Sequence, residues 1–89
     1  MPEITIKMQN KEGLHGRTAV CFIDTARKYN CVIHVTHKDI TANAKSILQL
    51  LTLGVFGGST ITIQAEGDDA DTAIRSLQNL IESKFGETQ

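Results

Sequence analysis

Gly13-Leu14-His15-Gly16-Arg17-Thr18-Ala19-Val20 is the stretch in which the chain changes from a strand-like period to a helical one. Before it, Ile4, Ile6 and Met8 alternate with Thr5 and Lys7, which predicts a half-buried strand over residues 3–8. The polar run Gln9-Asn10-Lys11-Glu12-Gly13 then ends that strand. After it, Ala19, Val20, Ile23 and Ala26 recur at three- and four-residue steps, with Phe22 beside them. That spacing predicts a helix over residues 16–29. His15 is thereby placed at or next to the helix N-cap, with a glycine on each side and Arg17 two residues on. A helix N-terminus offers backbone N–H groups and a partial positive charge, which suit phosphate. A histidine there is a candidate nucleophile for a transient phosphoryl group, and Arg17 a fixed cation for its charge.

Downstream, Ile33 and Val35 alternate with His34 and Thr36, so residues 31–37 read as a second strand. His37-Lys38-Asp39 turns it into a short third strand, residues 40–43. Residues 45–53 form a very apolar helix with Ser46 as its natural N-cap. Its apolar residues exceed what one core-facing stripe needs. Some of Ile47, Leu48 and Leu51 should therefore be exposed, and such a patch on a soluble domain marks a contact surface. Gly54-Val55-Phe56-Gly57-Gly58-Ser59 reads as a turn. It carries no nucleotide-loop pattern and leads into a strand rather than a helix. Residues 60–66 are the fourth strand, with Ile61, Ile63 and Ala65 on one face. A last helix is capped by Asp68 or Asp69 and lined by Ala70, Ala73, Ile74, Leu77, Leu80, Ile81 and Phe85. Lys84 and Gly86 should mark its end, and residues 87–89 a frayed tail.

The resulting order is βαββαβα. Each strand has one apolar face, so the fold expected is α+β: an open-faced two-layer sandwich in one domain, 1–89. Three helices should cover one face of a four-stranded antiparallel sheet. A right-handed β-α-β crossover leaves a slot for the fourth strand between the first and second.

Composition narrows the function. The 89 residues carry a net charge of -1, and only 4% are aromatic. A nucleic-acid or anionic-membrane binder would need a basic stripe. No apolar run is long enough to span a bilayer, and the first residues have no signal-peptide layout, so a cytoplasmic location is expected. Cys21 and Cys31 lack metal-ligand spacing and are expected to be free thiols. His34 and His37 fall on opposite strand faces and cannot chelate one ion together. No Ser/His/Asp set, HExxH or paired carboxylates stand out, and no metal or cofactor is expected. With no hydrolytic partner visible beside it, His15 is suited to hold and pass on a phosphoryl group. The chain is thus expected to be a phosphoryl-transfer intermediate rather than a free-standing catalyst. Phosphate on Ser46 would also fit a helix start, and its charge beside the apolar patch should repel an acidic partner.

These two segments resemble known motifs. Gly13-Leu14-His15-Gly16-Arg17-Thr18-Ala19 is similar to the active-site motif of HPr, the histidine-containing phosphocarrier family of the bacterial phosphoenolpyruvate:sugar phosphotransferase system. Asn43-Ala44-Lys45-Ser46-Ile47 with Leu53-Gly54 resembles that family's second signature, around a regulatory serine. The resemblance covers essentially the whole chain. It implies that His15 accepts a phosphoryl group from enzyme I, on Nδ1, and passes it to sugar-specific EIIA proteins or domains. Arg17 would stabilise the phosphate. It implies that Ser46 is the target of an HPr kinase/phosphorylase, the phosphoserine form then binding a catabolite-control repressor. Gly16, Thr18, Val20, Ile47, Leu48, Leu51 and Phe56 would dock partners. A monomer is the default. The alternative is a regulatory paralogue acting through Ser46 and its apolar patch, with weak or no carrier activity. The family usually has proline where Thr18 stands, and alanine or threonine where Gly16 stands. Both changes are expected to loosen the helix start, glycine costing up to about 1 kcal/mol relative to alanine inside a helix.

Overall fold

The structure, a computed structural model, describes residues 2–86; the expected tail at 87–89 lies outside the described residues. The elements run β1 (Glu3–Lys7), α1 (Arg17–Ala26), β2 (Val32–His37), β3 (Ile40–Asn43), α2 (Ile47–Leu51), β4 (Thr60–Glu66) and α3 (Ala70–Glu82). A short 3-10 turn follows over Lys84–Gly86.

The sheet order is β1-β4-β2-β3, with every neighbouring pair antiparallel. The last strand in sequence does fill the slot between the first and second. Alternation sorts the two faces as the period of two requires. Ile33, Val35, Ile61, Ile63 and Ala65 point inward and are buried. They meet α1 and α3 through Ala19, Phe22, Ile23, Ala73, Leu77 and Ile81, and one buried cluster forms the core. Phe22 is fully enclosed there, a burial worth about 1.5–3 kcal/mol. The other face is polar apart from the exposed Val32. Thr5, Thr62, Thr36 and Thr41 stand in register across all four strands. Their hydroxyls bond in pairs, Thr5 with Thr62 at 3.1 Å and Thr36 with Thr41 at 2.9 Å.

Three helices end sooner than their apolar spacing predicts. α1 stops at Ala26, and Arg27 turns out to donate to the Lys45 carbonyl at 3.0 Å. Lys45 returns the contact, its Nζ donating to the Tyr29 carbonyl at 2.7 Å. The C-terminal end of α1 is thereby tied to the start of α2. α2 itself is one tight turn, and Leu53 beyond it is buried. Its carbonyl accepts from His37 Nδ1 at 2.8 Å, which fixes that ring's tautomer with hydrogen on Nδ1. α3 ends at Glu82 because Lys84 and Phe85 take positive φ (55° and 58°), folding Phe85 back onto the core. Among the described residues no helix is long and apolar enough to cross a membrane.

Candidate functional site

Two loops meet at the start of α1. The first, residues 8–16, follows β1; the second, residues 54–59, precedes β4. The main chain of Met8 accepts from Gly58 N–H at 3.0 Å and donates to Ser59 at 2.7 Å. Leu14, buried beneath the site, donates its N–H to the Val55 carbonyl at 3.0 Å. Gly13 has φ 68°, and a Cβ there would stand 2.3 Å from the Val55 carbonyl oxygen. Only glycine lets the loops close to this distance. Asn10, 2% exposed, donates from Nδ2 to the Gly13 carbonyl at 3.0 Å.

His15 stands on this braced loop, immediately before the N-cap residue Gly16. Its ring is half-buried against Phe56, with centroids 4.6 Å apart and planes tilted by 30°. Nε2 is closed to solvent and has no hydrogen-bond partner. His15, Gly16, Arg17 and Glu12 line an open hollow of about 450 Å³. α1 begins with the bond from Val20 N–H to the Gly16 carbonyl at 3.2 Å, so its positive end faces the same residues. Gly16, lacking a side chain, places no capping group over that end.

Two expectations about this helix start change. Gly16 is not a weak link inside the helix. It has φ 58° and ψ -124°, a conformation that favours glycine, and open space where a Cβ would be. Thr18, expected on the docking surface, is 1% exposed and presents nothing to a partner. It braces rather than loosens the loop. Its hydroxyl accepts from the His15 N–H at 3.1 Å and lies 2.6 Å from the Gly13 carbonyl.

Val20, Ile47, Leu48, Leu51 and Phe56 are exposed, Leu48 most of all at 77%. Ser46 is the N-cap of α2, accepting from Gln49 N–H at 3.4 Å. Because Lys45 is held at the C-terminal end of α1, Ser46 sits a helix length from His15, about 15 Å along a ten-residue axis. The segment from Ser46 to Phe56 then runs back to the other end of α1, where Phe56 meets His15. Its exposed apolar side chains link the two positions. Asn10 and Glu12 escaped the sequence reading. A polar residue in a turn gives no sign that it will be buried or will line a hollow. Among the described residues, no group of three or more His, Cys, Asp or Glu is placed to hold a metal ion.

A family model described as the PTS HPr component phosphorylation site matches residues 2–83. The phosphocarrier protein HPr of Neisseria meningitidis is 37% identical over 83 residues, 93% of this chain and 93% of that protein. A crystal structure of HPr from Thermoanaerobacter tengcongensis superposes with a TM-score of 0.98 at 47% identity, covering both chains completely. An HPr dimer from the same organism superposes at 0.79 with 48% identity, over 98% of this chain and 100% of that one. A half-buried histidine at an open helix end, on this sheet order and with relatives at this identity over nearly the full length, leads to one assignment: the chain belongs to the HPr family of phosphocarrier proteins.

Proposed function

We propose that the chain accepts a phosphoryl group on His15 from phosphorylated enzyme I and passes it to an EIIA protein or domain. The single observation that carries the reading is the state of the imidazole. Its Nε2 is buried, its face is covered by Phe56, and the ring lines a hollow shared with Arg17 and the start of α1. Burial of Nε2 leaves Nδ1 as the reachable nucleophile. In the transfer, the Nδ1 lone pair forms the bond to phosphorus while the donor's bond to phosphorus breaks and leaves its electron pair on the donor. The dianion so formed gains the helix end and Arg17 as partners. The reverse exchange hands the group to the acceptor. The apolar surface of Val20, Ile47, Leu48, Leu51 and Phe56, with Gly16 at its edge, docks both partners. The chain works as a monomer in the cytoplasm.

The half-buried N-cap position of Ser46 favours a second, regulatory role at that residue. A phosphate there adds about two negative charges beside Ile47 and Leu48 at a helix start that tolerates them. An HPr kinase/phosphorylase would add it, and the modified surface would recruit a catabolite-control repressor and disfavour enzyme I.

Mixing the protein with phosphoenolpyruvate and enzyme I tests the first role. The expected result is a phosphohistidine signal by phosphorus NMR, on Nδ1, that is lost in His15→Ala. No acid-labile phosphate on the wild-type chain, with a control HPr charged by the same enzyme I, refutes it. For Ser46, incubation with ATP and the kinase should add one phosphate by mass, absent in Ser46→Ala.

A further inference from the structure

Thr18 is enclosed in the first turn of α1 and can touch neither a partner nor a transferred group. Its hydroxyl nevertheless meets the main chain of the reactive loop at three atoms. It accepts from the His15 N–H at 3.1 Å, lies 2.6 Å from the Gly13 carbonyl oxygen and lies 2.9 Å from the His15 carbonyl oxygen. We propose that Thr18 is a positioning residue for phosphoryl transfer: its hydroxyl holds the His15 peptide against α1 and so sets where Nδ1 stands in the hollow. The proposal rests on the reading of His15 as the phosphoryl acceptor.

The loop needs such a restraint. Glycines at 13 and 16 bracket His15, both at positive φ, and glycine brings wide torsional freedom. The Asn10 side chain holds Gly13, and Val55 holds Leu14. Phe56 packs on the imidazole ring. The described bonds that reach the His15 main chain come from Thr18. A hydroxyl accepts and donates at once, so one side chain grips the peptide N–H and a carbonyl together. Valine has the same shape and does neither, which takes this partner from the His15 N–H, while the Gly13 carbonyl keeps the Asn10 side chain. Displacing a reacting atom by about 1 Å can slow a transfer by about a hundredfold. Even a fraction of that shift at Nδ1 should be measurable.

The experiment compares Thr18→Val, Thr18→Ser and Thr18→Ala with the wild-type chain. For phosphoryl acceptance from enzyme I, Thr18→Val and Thr18→Ala should lose about tenfold in kcat with KM within about twofold. Thr18→Ser should recover most of the loss. Hydrogen exchange at the His15 amide, read without any phosphoryl donor, should accelerate in Val and Ala but not in Ser. This second readout separates failure of the positioning role from failure of His15 as acceptor. Wild-type kcat and slow His15 exchange in Thr18→Val or Thr18→Ala overturn the proposal. Equal losses in Ser, Ala and Val also overturn it, because a side chain that keeps the hydroxyl would then do no better than those that lack it. If Thr18→Val does not fold, the contrast between Ser and Ala decides.

Discussion

The Phe56 ring lies against the His15 imidazole at a centroid distance of 4.6 Å, although the two residues come from loops 41 positions apart in the chain. Phe56 is itself 61% exposed, so it covers the histidine while remaining open to a partner. Tilted aromatic pairs of this kind contribute about 0.5–1.5 kcal/mol beyond their buried area. Phe56→Ala should therefore lower stability only slightly, by about 1 kcal/mol, while uncovering Nε2. The measurement is phosphorus NMR of the charged protein. Wild type should carry phosphate on Nδ1 alone, and the variant on both nitrogens, with slower transfer to EIIA. A single isomer at an unchanged rate would show that the ring does not select the nitrogen.

Gly13 and Gly16 should respond differently to alanine. At Gly13 a Cβ meets the main chain of Val55 and Phe56 within 2.6 Å, and no flexible side chain is there to move aside. Clash and backbone strain together should cost about 3 kcal/mol or more. At Gly16 the space is open and only the backbone conformation resists, for about 1–3 kcal/mol. Thermal unfolding should rank Gly13→Ala below Gly16→Ala, each kcal/mol lowering Tm by about 4–8 °C in a domain of this size. The reverse order would contradict the loop packing.

Ser46 caps α2 through a long bond of 3.4 Å to Gln49 N–H. Its loss in Ser46→Ala should sit at the low end of capping energies, about 0.5–1 kcal/mol. Ser46→Asp keeps an acceptor and adds a negative charge at the helix start, so it should unfold close to wild type. Chemical denaturation of the three proteins checks this. A Ser46→Asp variant much less stable than Ser46→Ala would argue that the position does not tolerate an anion.

Burial raises the Cys31 thiol above its usual pKa of 9.0, and the hydrogen bond and charge of Asp69 push it the same way. The folded state therefore keeps this proton where the unfolded chain releases it. The resulting contribution is fully present below the unfolded pKa and is lost as pH rises from there through the higher folded value. Stability should fall with pH above about 9, and less steeply in Cys31→Ala. Denaturation midpoints between pH 8 and pH 10.5, on the order of those limits, test the sign. A thiol reagent at neutral pH should meanwhile modify the half-exposed Cys21 well before the buried Cys31.

The alternation of Ile4, Ile6, Ile33, Val35, Ile61 and Ile63 already specified the strands, because a period of two places every second side chain on one face. With the helical steps at Ala19–Ile23 and Ala73–Leu77, that pattern determined the layer order and the slot taken by β4. His15 and Ser46 were legible for a related reason: each stands where one local period ends and a helix begins. Local periodicity does not encode what a loop touches across space. Nothing near Asn10, Thr18 or Phe56 in the chain signals that two loops, brought together by the pairing of β1 with β4, would close around one imidazole. Thr18 shows the limit most clearly. Propensity rates a threonine for proline at a helix start as a loss. Only the tertiary structure, by enclosing the hydroxyl between the His15 N–H and the Gly13 carbonyl, turns the same side chain into a brace.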